Sequence, residues 1–407
     1  MERVELARLL GGRTGAQGSS RIVVAESDPQ KFIATVARAL ASGAEIFLGN
    51  PDWGAIERNQ LDALPAAPAG PKPANGYLMI PTGGTSGRLR FARHDAATVS
   101  AAVRGFTRHF ELPQVNAVGV LPLYHVSGFM AWMRCVLTGG EYRPANWKAI
   151  EGGALPALAA KMHGWTLSLV PTQLERLLRD ARAIAWLQGF RIIFLGGAPA
   201  WPALLDRAAA LRLPLSPGYG MTETAAMIAA LRPEEFLAGL RSNGTLLPQA
   251  RVRLDEEGGI HVGGASLFRG YYPAWREGED FATQDGGWLD ERGHLRVTGR
   301  RDAVIISGGE KVNPAEVEAV LRGTGEFADV MVFGVPDTEW GESVVAAYPA
   351  EKPPVRARVD SALAKLLSPA KRPKRFVPIA EWPVNAQGKV NRAEVARRAS
   401  ESGIDRV

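Results

Sequence analysis

"RIVVAESDPQKFIATVARALASGAEIFLGN", residues 21–50, passes from one kind of structure to another and back again. "RIVVAE" predicts a strand. Asp28-Pro29 then looks like an N-cap followed by proline at the first helical position. Phe32, Ile33, Val36, Ala37 and Leu40 form one apolar stripe, Gly43 ends it, and "EIFLGN" predicts a second strand. A strand, helix and strand in this order make a βαβ unit, which implies a parallel sheet covered by helices.

The alternation resumes after an Ala/Pro-rich connector, "ALPAAPAGPKPANG". Strands are expected at "GYLMIP", "AVGVLPL", "WTLSLVP" and "FRIIFLGGAP", and a helix at "AATVSAAVRGFTRHF". The fold class is therefore α/β, a large layered N-terminal domain. Around Arg251 the texture changes: "ARVRLDEEGGIHVGG" has short alternating runs about an acidic glycine turn, which predicts a hairpin. After "GHLRVTGRRD" comes a compact α+β unit, with helices "PAEVEAVLRG" and "VDSALAKLLS" and strands "DVMVFGV" and "SVVAAYP". A boundary near Gly299 to Asp302 gives domains 1–299 and 300–407, with 1–76 as a short first subdomain.

Composition bounds what such a molecule can do. With 46% hydrophobic and 22% charged residues, 407 residues suffice for two or more domains. The net charge of +6 suits anionic ligands, but Lys and Arg are interspersed with acids, which argues against nucleic acid as a partner. Cys135 is the only cysteine, so no internal disulfide forms. The start "MERVELARLLGG" lacks the apolar run of a signal peptide, and "VGVLPLYHVSGFMAWMRCVLTGG" is interrupted by Pro122, His125 and Arg134. The expectation is a cytoplasmic protein without membrane insertion.

"MIPTGGTSGRLRFARHD", Met79 to Asp95, reads as a strand, a loop rich in Gly, Thr and Ser, and then a helix. Such a loop can turn backbone N–H groups and hydroxyls toward a phosphate, or it can be a flexible turn. It is not a Walker loop, since Gly-Lys-Ser/Thr is missing, and the spacing of Gly83, Gly84 and Gly87 does not fit a dinucleotide fingerprint.

Further stretches follow in order: "LPLYHVSG", "FLGGAPA", "SPGYGMTET", "FATQD", "VTGRRDAVIISGGEKVNPAEVE" and "VNAQGKVNR". With the glycine-rich loop, this set resembles the adenylate-forming superfamily, the group of acyl-CoA synthetases, luciferases and nonribosomal adenylation domains. The resemblance covers nearly all of the chain after residue 77. It implies a large N-terminal domain, a small mobile C-terminal domain and an active site between them.

The implied reaction has two steps: a carboxylic acid attacks the α-phosphorus of ATP and releases pyrophosphate, then a thiol displaces AMP from the acyl-adenylate. Joining two anions demands N–H donors and positive charge where negative charge builds up. By the resemblance, Thr82, Gly83, Gly84, Thr85, Ser86 and Gly87 would hold the β- and γ-phosphates, Thr222 the α-phosphate, and Glu223 Mg²⁺. Gly196, Gly197 and Ala198, with Gly218, Tyr219 and Gly220, would line the adenine slot. Asp285 would accept the ribose hydroxyls, assisted by Arg300. Lys389 resembles the lysine that bridges carboxylate and α-phosphate, and His125 borders the acyl pocket. Gly308 and Gly309 would form part of the CoA path, and Asp302 the hinge.

Three departures stand out. Leu89, Arg90 and Phe91 replace the usual Pro-Lys-Gly, leaving Arg90 to reach for the γ-phosphate; Gln284 replaces a glycine; and the stretch before residue 77 is short. "LPLYHVSG", "SLVPTQLERLL" and "LGGAP" look most like the o-succinylbenzoate–CoA ligases of menaquinone biosynthesis. That acid has a ring and a second carboxylate, which makes Trp132, Arg134 and Thr172 candidates to line its pocket. ATP, Mg²⁺ and CoA are the implied cofactor set, and the oligomeric state is open between monomer and homodimer. The alternatives are the same chemistry on another aromatic or short-chain acid, transfer to a carrier protein, or a degenerate nucleotide binder.

Overall fold

The structure is a computed structural model that describes residues 21–65, 77–82, 89–156, 164–384 and 390–401. Four sheets follow one another along the chain. In the first, β1 (Arg21–Val24), β2 (Glu45–Leu48) and β3 (Leu78–Thr82) run parallel, and β4 (Arg90–His94) returns antiparallel to β3. Helix α1 (Pro29–Ser42) makes the first crossover. Asp28 accepts from the N–H groups of Gln30 and Lys31, and Gly43 closes the helix at φ 69°. Its buried face is Phe32, Val36, Ala39 and Leu40, while Ile33 and Ala37 lie at the margin, so the expected stripe is turned slightly. Phe32 alone, fully buried, contributes about 2–3 kcal/mol of apolar transfer.

After α2 (Ala55–Asp62), the expected strand, loop and helix of residues 79–95 require a correction. The chain forms the β3–β4 hairpin arm first, with Thr82 paired to Arg90, and only then enters α3 (Ala96–Phe110). The helix therefore follows β4 in the chain and does not follow the glycine-rich stretch directly. β4 does not show in the sequence because both its faces are buried, with Arg93 on one and His94 on the other, and buried basic groups do not look like a strand. The α3 limits do match expectation, set by a capping box in which Asp95 and Thr98 exchange side-chain and backbone hydrogen bonds.

The second sheet has seven strands, crossed from one edge to the other in the order 245–246, 226–230, 215–221, 192–195, 165–169, 116–119 and 142–144. Here β5 (Asn116–Gly119), β6 (Tyr142–Pro144), β7 (Trp165–Leu169), β8 (Ile192–Leu195) and β9 (Leu215–Met221) are parallel. β10 (Ala226–Ala230) and β11 (Thr245–Leu246) add an antiparallel edge. The intervening helices are α4 (Val126–Leu137), α5 (Trp147–Glu151), α6 (Pro171–Leu177), α7 (Ala181–Gln188), α8 (Pro202–Ala210) and α9 (Pro233–Leu237). Helix α3 joins the first two sheets: Val99, Ala102 and Val103 enter the core of the first, Phe106 and Phe110 that of the second.

The third sheet is an antiparallel meander of β12 (Ala250–Leu254), β13 (Gly259–Gly264), β14 (Asp280–Leu289) and β15 (Leu295–Arg300). It opens with the expected hairpin, Leu254 opposite Ile260. The fourth holds β16 (Ile305–Ser307), β17 (Glu310–Val312), β18 (Met331–Asp337), β19 (Gly341–Pro349) and β20 (Arg375–Ile379), with helices α10 (Pro314–Gly323), α11 (Arg356–Leu366) and α12 (Arg392–Glu401). Helix α10 packs back on α8, where the Arg322 guanidinium lies 5.4 Å from the Trp201 ring centroid. No described helix is long and apolar enough to cross a membrane.

Candidate active site

Glu223 lies in a one-turn 3-10 helix, Thr222–Thr224, between β9 and β10. Ala225 and Ala226 leave that turn in the left-handed region, at φ 52° and 78°. Such a turn does not hold itself, and neighbouring segments fix it. The His94 ring donates from Nε2 to the Thr222 carbonyl at 2.8 Å, and the Phe268 N–H donates to the Glu223 carbonyl at 2.8 Å. A carbonyl only accepts, so Nε2 carries the His94 proton. Burial pushes the pKa of His94 down to about 4, so the ring is neutral.

The Tyr271 hydroxyl donates to Oε1 of Glu223 at 2.5 Å. Tyr271 belongs to a segment that runs beside β4: Arg93 N–H donates to Gly270, and Tyr272 N–H to Phe91. Arg93 is wholly buried. Its guanidinium donates to the carbonyls of Pro273 and Ala274, both at 3.0 Å, and lies 3.9 Å from the Trp275 ring centroid. The cation-to-carbonyl and cation-to-ring contacts offset its desolvation and pin residues 270–275 to the first sheet.

Glu223 is 8% exposed and makes no ion pair among the described residues. Tyr271 is the one described side chain that donates to it. Nearby at the end of β3, the Thr82 hydroxyl oxygen is buried and has no hydrogen-bond partner among the described residues. A hard carboxylate oxygen and an orphaned hydroxyl fit Mg²⁺ carried on phosphates. Among the described residues there is no cluster of three acidic, His or Cys side chains that would cage a metal without substrate oxygens.

On the other side, the Tyr219 hydroxyl donates to Oδ2 of Asp285 at 2.7 Å. Burial, then the Asp285 charge, raises the phenol pKa, so it remains a donor. Gly196, Gly197 and Ala198 follow β8. A Cβ on Gly196 would meet nothing nearer than 3.9 Å, so local packing does not require glycine there. Gly220 differs: a Cβ there would come within 2.0 Å of the Ala226 carbonyl, and β9–β10 pairing alone demands glycine. At Gly218 the corresponding distance to the Ala229 carbonyl is 3.0 Å.

The expected residues thus gather in two sets, Thr82, Arg90, Thr222 and Glu223 in one, Tyr219 and Asp285 in the other. Arg90 places its guanidinium 4.6 Å from the Tyr271 ring centroid. Arg300 stands opposite Asp285 in the β14–β15 register, yet its guanidinium pairs with Asp302, with Nε to Oδ1 at 2.8 Å. His125 is the N-cap residue of α4, half-buried, its ring 4.7 Å from that of Tyr124. Thr172 is the second residue of α6, half-buried. Gly308 and Gly309 form the exposed β16–β17 turn at φ 57° and 80°. Gly83, Gly84, Thr85, Ser86, Gly87 and Lys389 lie outside the described residues.

Trp132 and Arg134 do not come together. Two residues apart on α4, they face opposite ways: Trp132 packs on Phe129 in the core under the first sheet, and Arg134 lies 4.0 Å from the Phe106 ring centroid. Burial pushes the Arg134 pKa down to about 10. Sequence reasoning missed His94, Arg93 and Tyr271. The available signal was the pair of basic residues inside "FARHD", where an apolar strand gives them no solvent.

Comparison with known proteins places the chain in a family. A family model described as "AMP-binding enzyme" matches residues 12–272, and one described as "AMP-binding enzyme C-terminal domain" matches residues 316–389. The chain belongs to the AMP-binding enzyme family. Among curated relatives, the 2-succinylbenzoate–CoA ligase of Listeria monocytogenes serotype 4b is 33% identical over 293 residues, 69% of this chain and 61% of the relative. The chain thus spans about 61% of that relative's length. Among solved structures, o-succinylbenzoate CoA synthetase from Bacillus subtilis with the acyl-adenylate OSB-AMP superimposes with TM-score 0.79 at 23% identity, covering 96% of this chain and 90% of that one. The same enzyme with ATP and magnesium ion gives 0.78 at 23% identity, covering 97% and 93%.

Proposed function

We propose that the protein activates a carboxylic acid with ATP and Mg²⁺ and passes the acyl group to CoA, with o-succinylbenzoate as the acid. The observation that carries the reading is the Glu223 and Thr82 pair, a carboxylate without an ion pair among the described residues and an orphaned hydroxyl beside the loop expected to hold the phosphates. The o-succinylbenzoate assignment rests on the relatives, several of which bear the name 2-succinylbenzoate–CoA ligase. A large unit, 1–299, binds ATP and acid, and a small unit, 300–407, brings the catalytic lysine.

The acid's carboxylate oxygen attacks the α-phosphorus, pyrophosphate leaves, and the CoA thiol then displaces AMP to give the thioester. Mg²⁺, when bound, supplies charge that offsets the phosphates. Thr222 holds the α-phosphate and Glu223 orients the metal side. Asp285, steadied by Tyr219, accepts from the ribose hydroxyls, and Lys389 bridges carboxylate and phosphate. Gly308 and Gly309 admit the thiol, and His125 borders the acid. ATP and CoA as substrates suit the cytoplasm.

The test is pyrophosphate release with ATP and Mg²⁺ over a panel of acids, with and without CoA. Turnover confined to o-succinylbenzoate with CoA is the expected result. Turnover on a different acid would replace the substrate and keep the chemistry, and ATP binding without turnover on any acid would count against the reading.

A further inference from the structure

The loop departure at Leu89-Arg90-Phe91 and the unexpected tyrosine meet at one place. Arg90 caps one face of the Tyr271 ring at 4.6 Å, while Phe268 meets the ring edge to face with centroids 4.9 Å apart and Phe281 does so at 6.2 Å. The backbone on either side of Tyr271 is bonded to β4, so neither ring nor main chain is free to swing. The hydroxyl ends on Oε1 of Glu223, and Oε2 accepts no hydrogen bond from the described residues.

We propose that Tyr271, capped by Arg90, is a positioning residue for Glu223: it occupies one carboxylate oxygen and leaves the other set for the metal carried by the nucleotide. This rests on the role given to Glu223 under the proposed function. A phenol-to-carboxylate hydrogen bond is charge-assisted and directional, so it fixes rotation about the last bond of the side chain. On a turn this short, the main chain does not do so. Arg90 therefore acts through the ring: its place over Tyr271 holds a positive charge at this edge of the site and stiffens the donor.

The experiment measures ATP affinity by calorimetry across a Mg²⁺ series, and the Mg²⁺ dependence of pyrophosphate release, in the wild type, Glu223→Gln, Tyr271→Phe and Arg90→Met. Loss of an outer partner of a metal ligand typically weakens metal affinity by about 10- to 100-fold. Tyr271→Phe is accordingly expected to need about 10-fold more Mg²⁺ for half-maximal rate, a shift exceeding any change in the KM for the acid. The Mg²⁺-dependent gain in ATP affinity should shrink in the same variant. Arg90→Met should shift the Mg²⁺ requirement the same way by a smaller factor, and Glu223→Gln should abolish the gain.

If Glu223→Gln keeps the wild-type Mg²⁺ dependence, the role of Glu223 fails and the reading of the site with it. If Glu223→Gln loses that dependence and Tyr271→Phe keeps it, only the proposal for Tyr271 falls. An equal loss of ATP affinity with and without Mg²⁺ in Tyr271→Phe, together with a lowered Tm, would also overturn it by making the tyrosine a packing residue.

Discussion

The two sides of the site hold a carboxylate by the same device on different backbones. Glu223 and Asp285 each accept from a tyrosine hydroxyl, at 2.5 and 2.7 Å. Asp285 sits on strand β14, paired with Arg300 of β15, although the register of β14 shifts on either side of it. Glu223 sits on a strained turn that needs His94, Phe268 and Tyr271, all distant in sequence, to hold it. Where secondary structure aims a side chain, one tyrosine completes the job; where it does not, the surrounding fold must supply the aim.

Four changes would break or sharpen this contrast. The largest removes the chemistry that both sides serve: Lys389→Ala should slow adenylate formation about 10³-fold, as loss of a charge at the reacting centre does, and leave thioester formation from supplied acyl-adenylate largely intact. Stopped-flow assays of the two half-reactions check this, and equal losses in both would contradict the lysine's role.

His94 tests the turn. Its folded pKa of about 4 lies below the unfolded value of 6.5, so its contribution is fully present above about pH 6.5 and is lost as pH falls toward about 4. The loss amounts to about 3 kcal/mol by pH 4. Denaturant unfolding at pH 7 and pH 4.5 should show a steeper loss in the wild type than in His94→Gln, because the glutamine does not titrate. Parallel losses would remove histidine from the account of the turn.

Asp285→Ala should raise the KM for ATP about 10-fold with a lesser effect on kcat, the size of one or two lost charged hydrogen bonds. A kcat effect larger than the KM effect would make the two carboxylates alike in kind. The smallest change is Asp302→Ala. It breaks an ion pair with Arg300 in which both side chains are over 40% exposed, and should cost less than about 1 kcal/mol in denaturant unfolding. A larger cost would mean that the strand register of Asp285 depends on the link beyond it.

The contrast also explains how much could be read from the sequence. The limits of α3 and α10 were legible because caps and apolar spacing are local: Asp95 with Thr98, and Asn313 before Pro314. So was the β12–β13 hairpin. Asp285 and Tyr219 were legible as motif members, although their contact joins residues 66 apart. β4 and the clamp around Glu223 were not. Tyr271 is 48 positions from Glu223 and His94 is 128 from Thr222, and nothing local marks either pair. Arg93 is hidden in part: beside His94 it hints at a buried basic pair, but only the fold reveals the carbonyls and rings that receive it. Trp132 and Arg134 show the converse, since they were candidates by the chemistry of the expected acid, and helical geometry turns them to opposite sides.

The seat of α10 on α8 carries its own optical signal. Trp201 is 9% exposed and meets the Arg322 guanidinium from the other unit. Any rotation that parts α10 from α8 strips the cation from the ring and lets water reach the indole. The emission of Trp201, taken as the difference between the wild type and Trp201→Phe, would then move to longer wavelength and become open to a quencher such as acrylamide. The chain thus contains a native dye at the contact between its two units, able to report in real time, without a label, whether that contact is made or broken.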